Sequence, residues 1–148
     1  MPTGEPLYIH SVEIGDEVTP QVTSISMERV IAFWGASPRS EMLDQPNRFN
    51  SEAQAKKEGL AGPVVPGPMC MALIAKVLTD WSEGVRLKVL DVILRQVWPQ
   101  ASEVKIYGVV TDKNDDLKQV EVDIYVEDPG GQPLIRGKAV LGLPTKPT

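Results

Sequence analysis

Apolar positions change their period midway along the chain, and that change outlines the elements. In LKQVEVDIYVED (117–128), Val120, Val122, Ile124 and Val126 alternate with Gln119, Glu121, Asp123 and Tyr125. A two-residue period of this kind predicts a strand with one buried face. Runs at 85–98, 102–111 and 133–144 are similarly rich in Val, Ile, Leu and Tyr. Their links DKNDD and DPGGQ are short and turn-rich, which predicts antiparallel hairpins. The front half follows a helical rhythm instead. VTSIS (22–26) reads as a strand end. SMERVIAFWGAS (26–37) reads as a short amphipathic helix capped by Ser26, with Val30, Ile31, Phe33 and Trp34 on its apolar face. Residues 38–50 show no period and predict a loop. SEAQAKKEG (51–59) predicts a helical turn or two, capped by Ser51 and stopped by Gly59.

The segment Pro68–Trp81 departs from both rhythms. It is apolar nearly all round, with only Lys76, Thr79 and Asp80 plainly polar. Such a helix predicts burial on every face, so something has to wrap it. The strands of the back half are the available material. The predicted architecture is α+β, an antiparallel sheet wrapped around one central apolar helix at about 68–81. That is the hotdog fold, in one domain spanning 1–148.

Composition narrows the function. The net charge is -5 with acidic residues spread along the chain, which argues against a nucleic-acid partner and against a membrane surface. The longest apolar run, at roughly 63–78, contains Lys76 and is too short to span a bilayer. Cys70 is the single cysteine, so no intrachain disulfide and no multi-cysteine metal site is expected. The N-terminal stretch lacks the basic-then-apolar pattern of a secretory signal. These features together predict a soluble cytoplasmic protein. With no Gly-rich phosphate loop, metal-ligand cluster or Ser/His/Asp arrangement, neither a metal nor a cofactor is expected.

Several stretches resemble one family, the MaoC-like hydratase/dehydratases, or R-specific enoyl-CoA hydratases. YIHSVEIGDEV (8–18) is similar to that family's opening strand and turn, and SMERVIAFWGAS to the helix that follows. AKKEGLAGPVVPGPM (55–69) is similar to the segment that enters the central helix, and this is the most specific part of the likeness. LKVLDVILRQVWPQASEVKIYGVV (87–110) resembles the paired strands, with Gln100, Ala101 and Ser102 in place of the usual Gly-Asp turn. The resemblance implies an acyl-CoA or acyl-carrier thioester as substrate, with water added across or removed from its double bond. It also implies a dimer of hotdog subunits, either a homodimer or a heteromer with another hotdog chain.

In that family the loop before the central helix carries an Asp, then Asn-Pro, then a His. The resemblance places Asp44 of LDQPNRFNSE (43–52) at the Asp and Phe49 at the His, because Phe49 lies ten residues before Gly59. Pro46 and Asn47 take the Asn-Pro positions in swapped order, and PRSEM (38–42) is surplus. Gly67 falls at the glycine whose N–H polarises the thioester carbonyl, with Pro66 where a His usually precedes it. The only histidine is His10, far away in sequence. The implied Asp/His pair is therefore absent from this chain, and Phe49 has no titratable group.

Each candidate also has a plainer reading. Asp44 is either an acid/base carboxylate or a solvated loop aspartate. Asn47 and Asn50 either hold a water or thioester carbonyl, or serve as turn residues. Phe49 lines an acyl pocket or fills the space of the imidazole. Gly67 provides an oxyanion N–H or close packing. Cys70, Met69 and Met71 read as core. Lys56, Lys57, Arg86 and Lys88 face coenzyme A phosphates or only solvent. Three functions stay open at this point: a diverged hydratase/dehydratase using Asp44, a non-catalytic partner in a heteromeric hydratase, and a hotdog thioesterase needing one carboxylate.

Overall fold

A computed structural model describes residues 6–147; residues 1–5 and 148 lie outside the described residues, and with them part of the stretch read for a secretory signal. The elements run β1 (Glu17–Thr23), α1 (Met27–Ala36), α2 (Glu52–Lys57), α3 (Gly67–Thr79), β2 (Arg86–Leu94), β3 (Val104–Asn114), β4 (Gln119–Glu127) and β5 (Pro133–Gly142). The caps read from sequence are in place. Ser26 Oγ accepts from Arg29 N and Ser51 Oγ accepts from Gln54 N. Gly59 adopts φ +88°, the left-handed conformation that lets the chain leave α2.

The five strands form one antiparallel sheet in the order β1-β3-β4-β5-β2. β4 lies at its centre, and its alternation sends Val120, Val122, Ile124 and Val126 inward, none more than 1% exposed. They join Ile106 and Val110 of β3 and Ile135 and Leu141 of β5 in one apolar cluster with Cys70, Ile74, Val77 and Leu78 of α3. This is the hotdog arrangement, a curved sheet wrapped on a central helix.

The structure corrects several expectations. The central helix begins at Gly67 and ends at Thr79, with Asp80 as C-cap and Trp81 already beyond it. Nor is α3 buried on every face. Pro68, Ala72, Lys76 and Thr79 form an exposed stripe, because a five-stranded sheet covers one side of a helix and not its whole circumference. Lys76 pairs with Asp80 along this stripe. The strand read at 22–26 is the end of β1, which lies mostly upstream. The loop at 38–50 contains one 3₁₀ turn, Ser40–Leu43. On α1, Val30 and Trp34 are buried whereas Ile31 is 40% exposed.

β2 closes one edge of the sheet and, among the described residues, pairs only with β5. Val89, Ile93, Leu94 and the following Val97 are all exposed there.

Candidate functional site

The loop ahead of α2 is built on its asparagines. Asn47 Oδ1 accepts from Phe49 N at 2.9 Å and Asn50 N at 3.1 Å, an Asx turn. Its Nδ2 donates to Met42 O at 2.6 Å. Asn50 Oδ1 accepts from Asn47 N at 2.8 Å, and Asn50 Nδ2 donates to Gln45 O at 3.2 Å. Both amides are thus engaged in holding the loop's own backbone. Asp44 caps the 3₁₀ turn, its N–H donating to Glu41 O.

This framework leaves Asp44 exposed on an open depression of about 380 Å³, lined also by Ile31, Leu43, Gln45, Pro46 and Asn50. Phe49 does not line it. Its ring packs toward the core against Trp34, with centroids 5.8 Å apart and planes at 51°. Gly67 does not line it either. Asp44 and Asn50 share one surface, and neither Phe49 nor Gly67 is among the residues that line it.

Gly67 opens α3 between two prolines. Pro66 is the N-cap and Pro68 follows in the first turn. Neither proline has an N–H, so Gly67 and Met69 carry the donors of the helix start before Cys70 N bonds Pro66 O at 3.0 Å. A methyl added to Gly67 would meet only Leu94 Cδ2, at 3.8 Å, an ordinary contact. Close packing therefore does not demand glycine here.

Sequence reasoning missed the residue that ties these parts together. Gln100 Nε2 donates to Phe49 O at 2.8 Å and to Val64 O at 2.9 Å. The backbone repeats the connection, with Val64 N on Arg48 O, Val65 N on Trp98 O and Gln100 N on Pro63 O. A long amide side chain in place of a Gly-Asp turn was the available signal. Next to it, Ala101 takes φ 57°, the left-handed conformation that favours glycine.

Electrostatics add a second tether. Arg48 Nη2 lies 2.7 Å from Glu58 Oε1, fastening the loop to the end of α2. The hydrogen bond from Arg48 holds the Glu58 carboxyl below the usual range. Cys70 is different: burial in the core pushes its thiol up to about 12. Of the basic residues read as phosphate contacts, Lys56 pairs with Glu52 and Lys88 donates to Gln119. A larger groove of about 650 Å³ lies on the outer face of the sheet, where Arg136 stacks on Tyr125, away from this loop. Among the described residues no His/Cys/Asp/Glu group is placed to hold a metal ion, and no helix is long and apolar enough to cross a membrane.

No family model matches the sequence, and no curated protein matches it. Solved structures do match. An (R)-hydratase from A. caviae involved in PHA biosynthesis is 20% identical, with 90% of this chain and 98% of that one covered and a TM-score of 0.78. The R-hydratase PhaJ1 from Pseudomonas aeruginosa is 15% identical over 95% of this chain and 88% of that one, with a TM-score of 0.80. A chain of the ChsH1-ChsH2 complex from Mycobacterium tuberculosis is 16% identical over 88% of this chain and 98% of that one, with a TM-score of 0.73. At these identities the shared property is the fold.

Proposed function

We propose that this chain is a MaoC-like hotdog protein, one domain spanning 1–148, that handles acyl-CoA or acyl-carrier thioesters in the manner of an enoyl hydratase or 3-hydroxyacyl dehydratase. The observation that carries the reading is the helix start Pro66-Gly67-Pro68, tied through Gln100 to the loop that bears Asp44. A helix N-terminus presents N–H groups and partial positive charge where a thioester enolate oxygen develops. In hydration, a carboxylate at Asp44 takes a proton from water as the oxygen bonds to C3. The π electrons move onto the thioester oxygen, held by the Gly67 N–H, and as the carbonyl re-forms C2 takes the proton from the Asp44 carboxyl, which returns to carboxylate. The chemistry needs no metal and no cofactor, and we place the protein in the cytoplasm.

A second reading is favoured by a specific observation. Phe49, packed on Trp34, stands where the resemblance puts the imidazole, so one proton-transfer group is missing. β2 meanwhile offers an edge unpaired among the described residues, with Val89, Ile93 and Leu94 exposed. An unpaired apolar edge is suited to pairing with another chain. We therefore propose assembly through β2, as a homodimer or as a heteromer in which the other hotdog subunit holds the Asp/His pair. The solved ChsH1-ChsH2 complex and the HadBC dehydratase complex show hotdog chains in heteromers.

One panel separates these readings. Crotonyl-CoA hydration and release of free CoA are measured with wild type and Asp44→Ala, alone and mixed with a hotdog protein that has the Asp/His pair. Asp44-dependent hydration by the chain alone supports a diverged hydratase. Activity appearing only in the mixture supports the partner role. Asp44-dependent release of CoA points to the thioesterase chemistry instead, and hydration indifferent to Asp44→Ala removes the assigned site.

A further inference from the structure

We propose that Gln100 is the positioning residue of the thioester site, the side chain that sets the loop of Asp44 and Phe49 against the N-terminus of α3. The inference rests on the thioester reading above. Three segments distant in sequence meet here: 47–50, 63–67 and 98–101. The backbone bonds join them two at a time. Only the Gln100 amide bonds both others at once, at 2.8 Å to Phe49 O and 2.9 Å to Val64 O. Phe49 is five residues past Asp44, and Val64 is three before Gly67. A shift in this joint therefore changes the spacing between the carboxylate and the helix donors, which the backbone otherwise links only through the Val64 N–H to Arg48 O bond.

The chemistry of the joint selects glutamine. Both partners are carbonyl oxygens, so only the NH₂ end of the amide satisfies them and its orientation is fixed. Oε1 is consequently turned away and lies buried with no hydrogen-bond partner. A joint that served packing alone would shed that cost with an apolar side chain of the same length. Glutamate, almost the same shape, would set a carboxylate against two carbonyl oxygens. It regains one donor only when protonated.

Gln100→Met keeps the volume and removes both donors; Gln100→Glu makes the joint titratable. Amide hydrogen exchange is followed in the free protein, and binding of crotonyl-CoA is followed by calorimetry. In Gln100→Met, protection of the Asn50 and Val64 amides is expected to fall about 10- to 100-fold while β3 and β4 keep theirs. Crotonyl-CoA affinity is expected to weaken about tenfold, as the helix-start N–H groups move out of line with the thioester carbonyl and a hydrogen bond to it is lost. In Gln100→Glu, both losses recover as pH is lowered and the carboxyl protonates, measured against wild type at each pH. If Gln100→Met unfolds globally, the pH-dependent recovery of Gln100→Glu decides. Wild-type protection at Asn50 and Val64 in Gln100→Met, or a Gln100→Glu variant that ignores pH, overturns the role of Gln100. A wild-type chain that binds no thioester, with the exchange result intact, overturns the thioester reading and leaves the joint standing.

Discussion

Gly137→Ala tests how tightly the edge strand is held to the sheet. Gly137 pairs with Val92 of β2 on one side and Ile124 of β4 on the other. A methyl there would stand 2.2 Å from Asp91 O, 2.6 Å from Val92 Cα and 2.8 Å from Val92 Cγ1. Two of these three are backbone atoms, so no rotamer change relieves the clash. β2 must retreat by roughly an ångström to restore ordinary contact distances. Because β2 pairs only with β5 among the described residues, that retreat loosens a whole edge. Overpacking of this kind costs about 3 kcal/mol, at the upper end of its usual range. For a chain of this size that lowers Tm by about 6 to 12 °C. The assay is thermal unfolding by circular dichroism at fixed protein concentration, since assembly through β2 would couple to stability. Gly62→Ala is the control, as a methyl there meets nothing within 4 Å. A Gly137→Ala protein melting within about a degree of the control would refute the packing argument.

Other outcomes follow from the same geometry. Asn47→Ala leaves the Phe49 N–H and Met42 O without their side-chain partner, and the Asn50 N–H with only its bond to Asn47 O, and should cost about 1 to 3 kcal/mol in urea unfolding. The Glu58 carboxyl is held low by Arg48, so its tether is present above the ordinary carboxylate range and lost as pH falls through the lowered value. Proteolysis of the 43–50 loop should therefore accelerate at low pH in wild type, and Arg48→Ala should remove that pH dependence. Cys70, buried with its thiol raised to about 12, should resist an aromatic disulfide reagent at about pH 8 until the chain unfolds. Rapid labelling of the native protein would contradict its place in the core.

The sequence made the centre of the fold legible and left its margins open. β4 was readable because one face is buried and the other solvated, so its alternation is clean. β2 was readable as a strand but not in its faces, since VRLKVLDVIL is apolar on both whereas Val89 and Ile93 project outward at the edge. In α3 the residue types misled: Ala72 and Pro68 count as apolar yet form part of the exposed stripe. In the loop, asparagine suits a turn and a ligand contact equally well, and only the observed bonds show where the amides of Asn47 and Asn50 are engaged. Gln100 was illegible as a joint because its partners lie 51 and 36 residues away.

The central claim is that Asp44 performs proton transfer on an acyl thioester bound at the start of α3. Its most direct test is the rate of crotonyl-CoA hydration by wild type and Asp44→Asn, alone and with a hotdog partner bearing the Asp/His pair. Asparagine keeps the shape of an exposed side chain and should leave Tm unchanged. The account predicts that hydration attributable to this chain falls about 100-fold or more in Asp44→Asn. Equal rates for the two proteins, both folded and both binding the thioester, would contradict it.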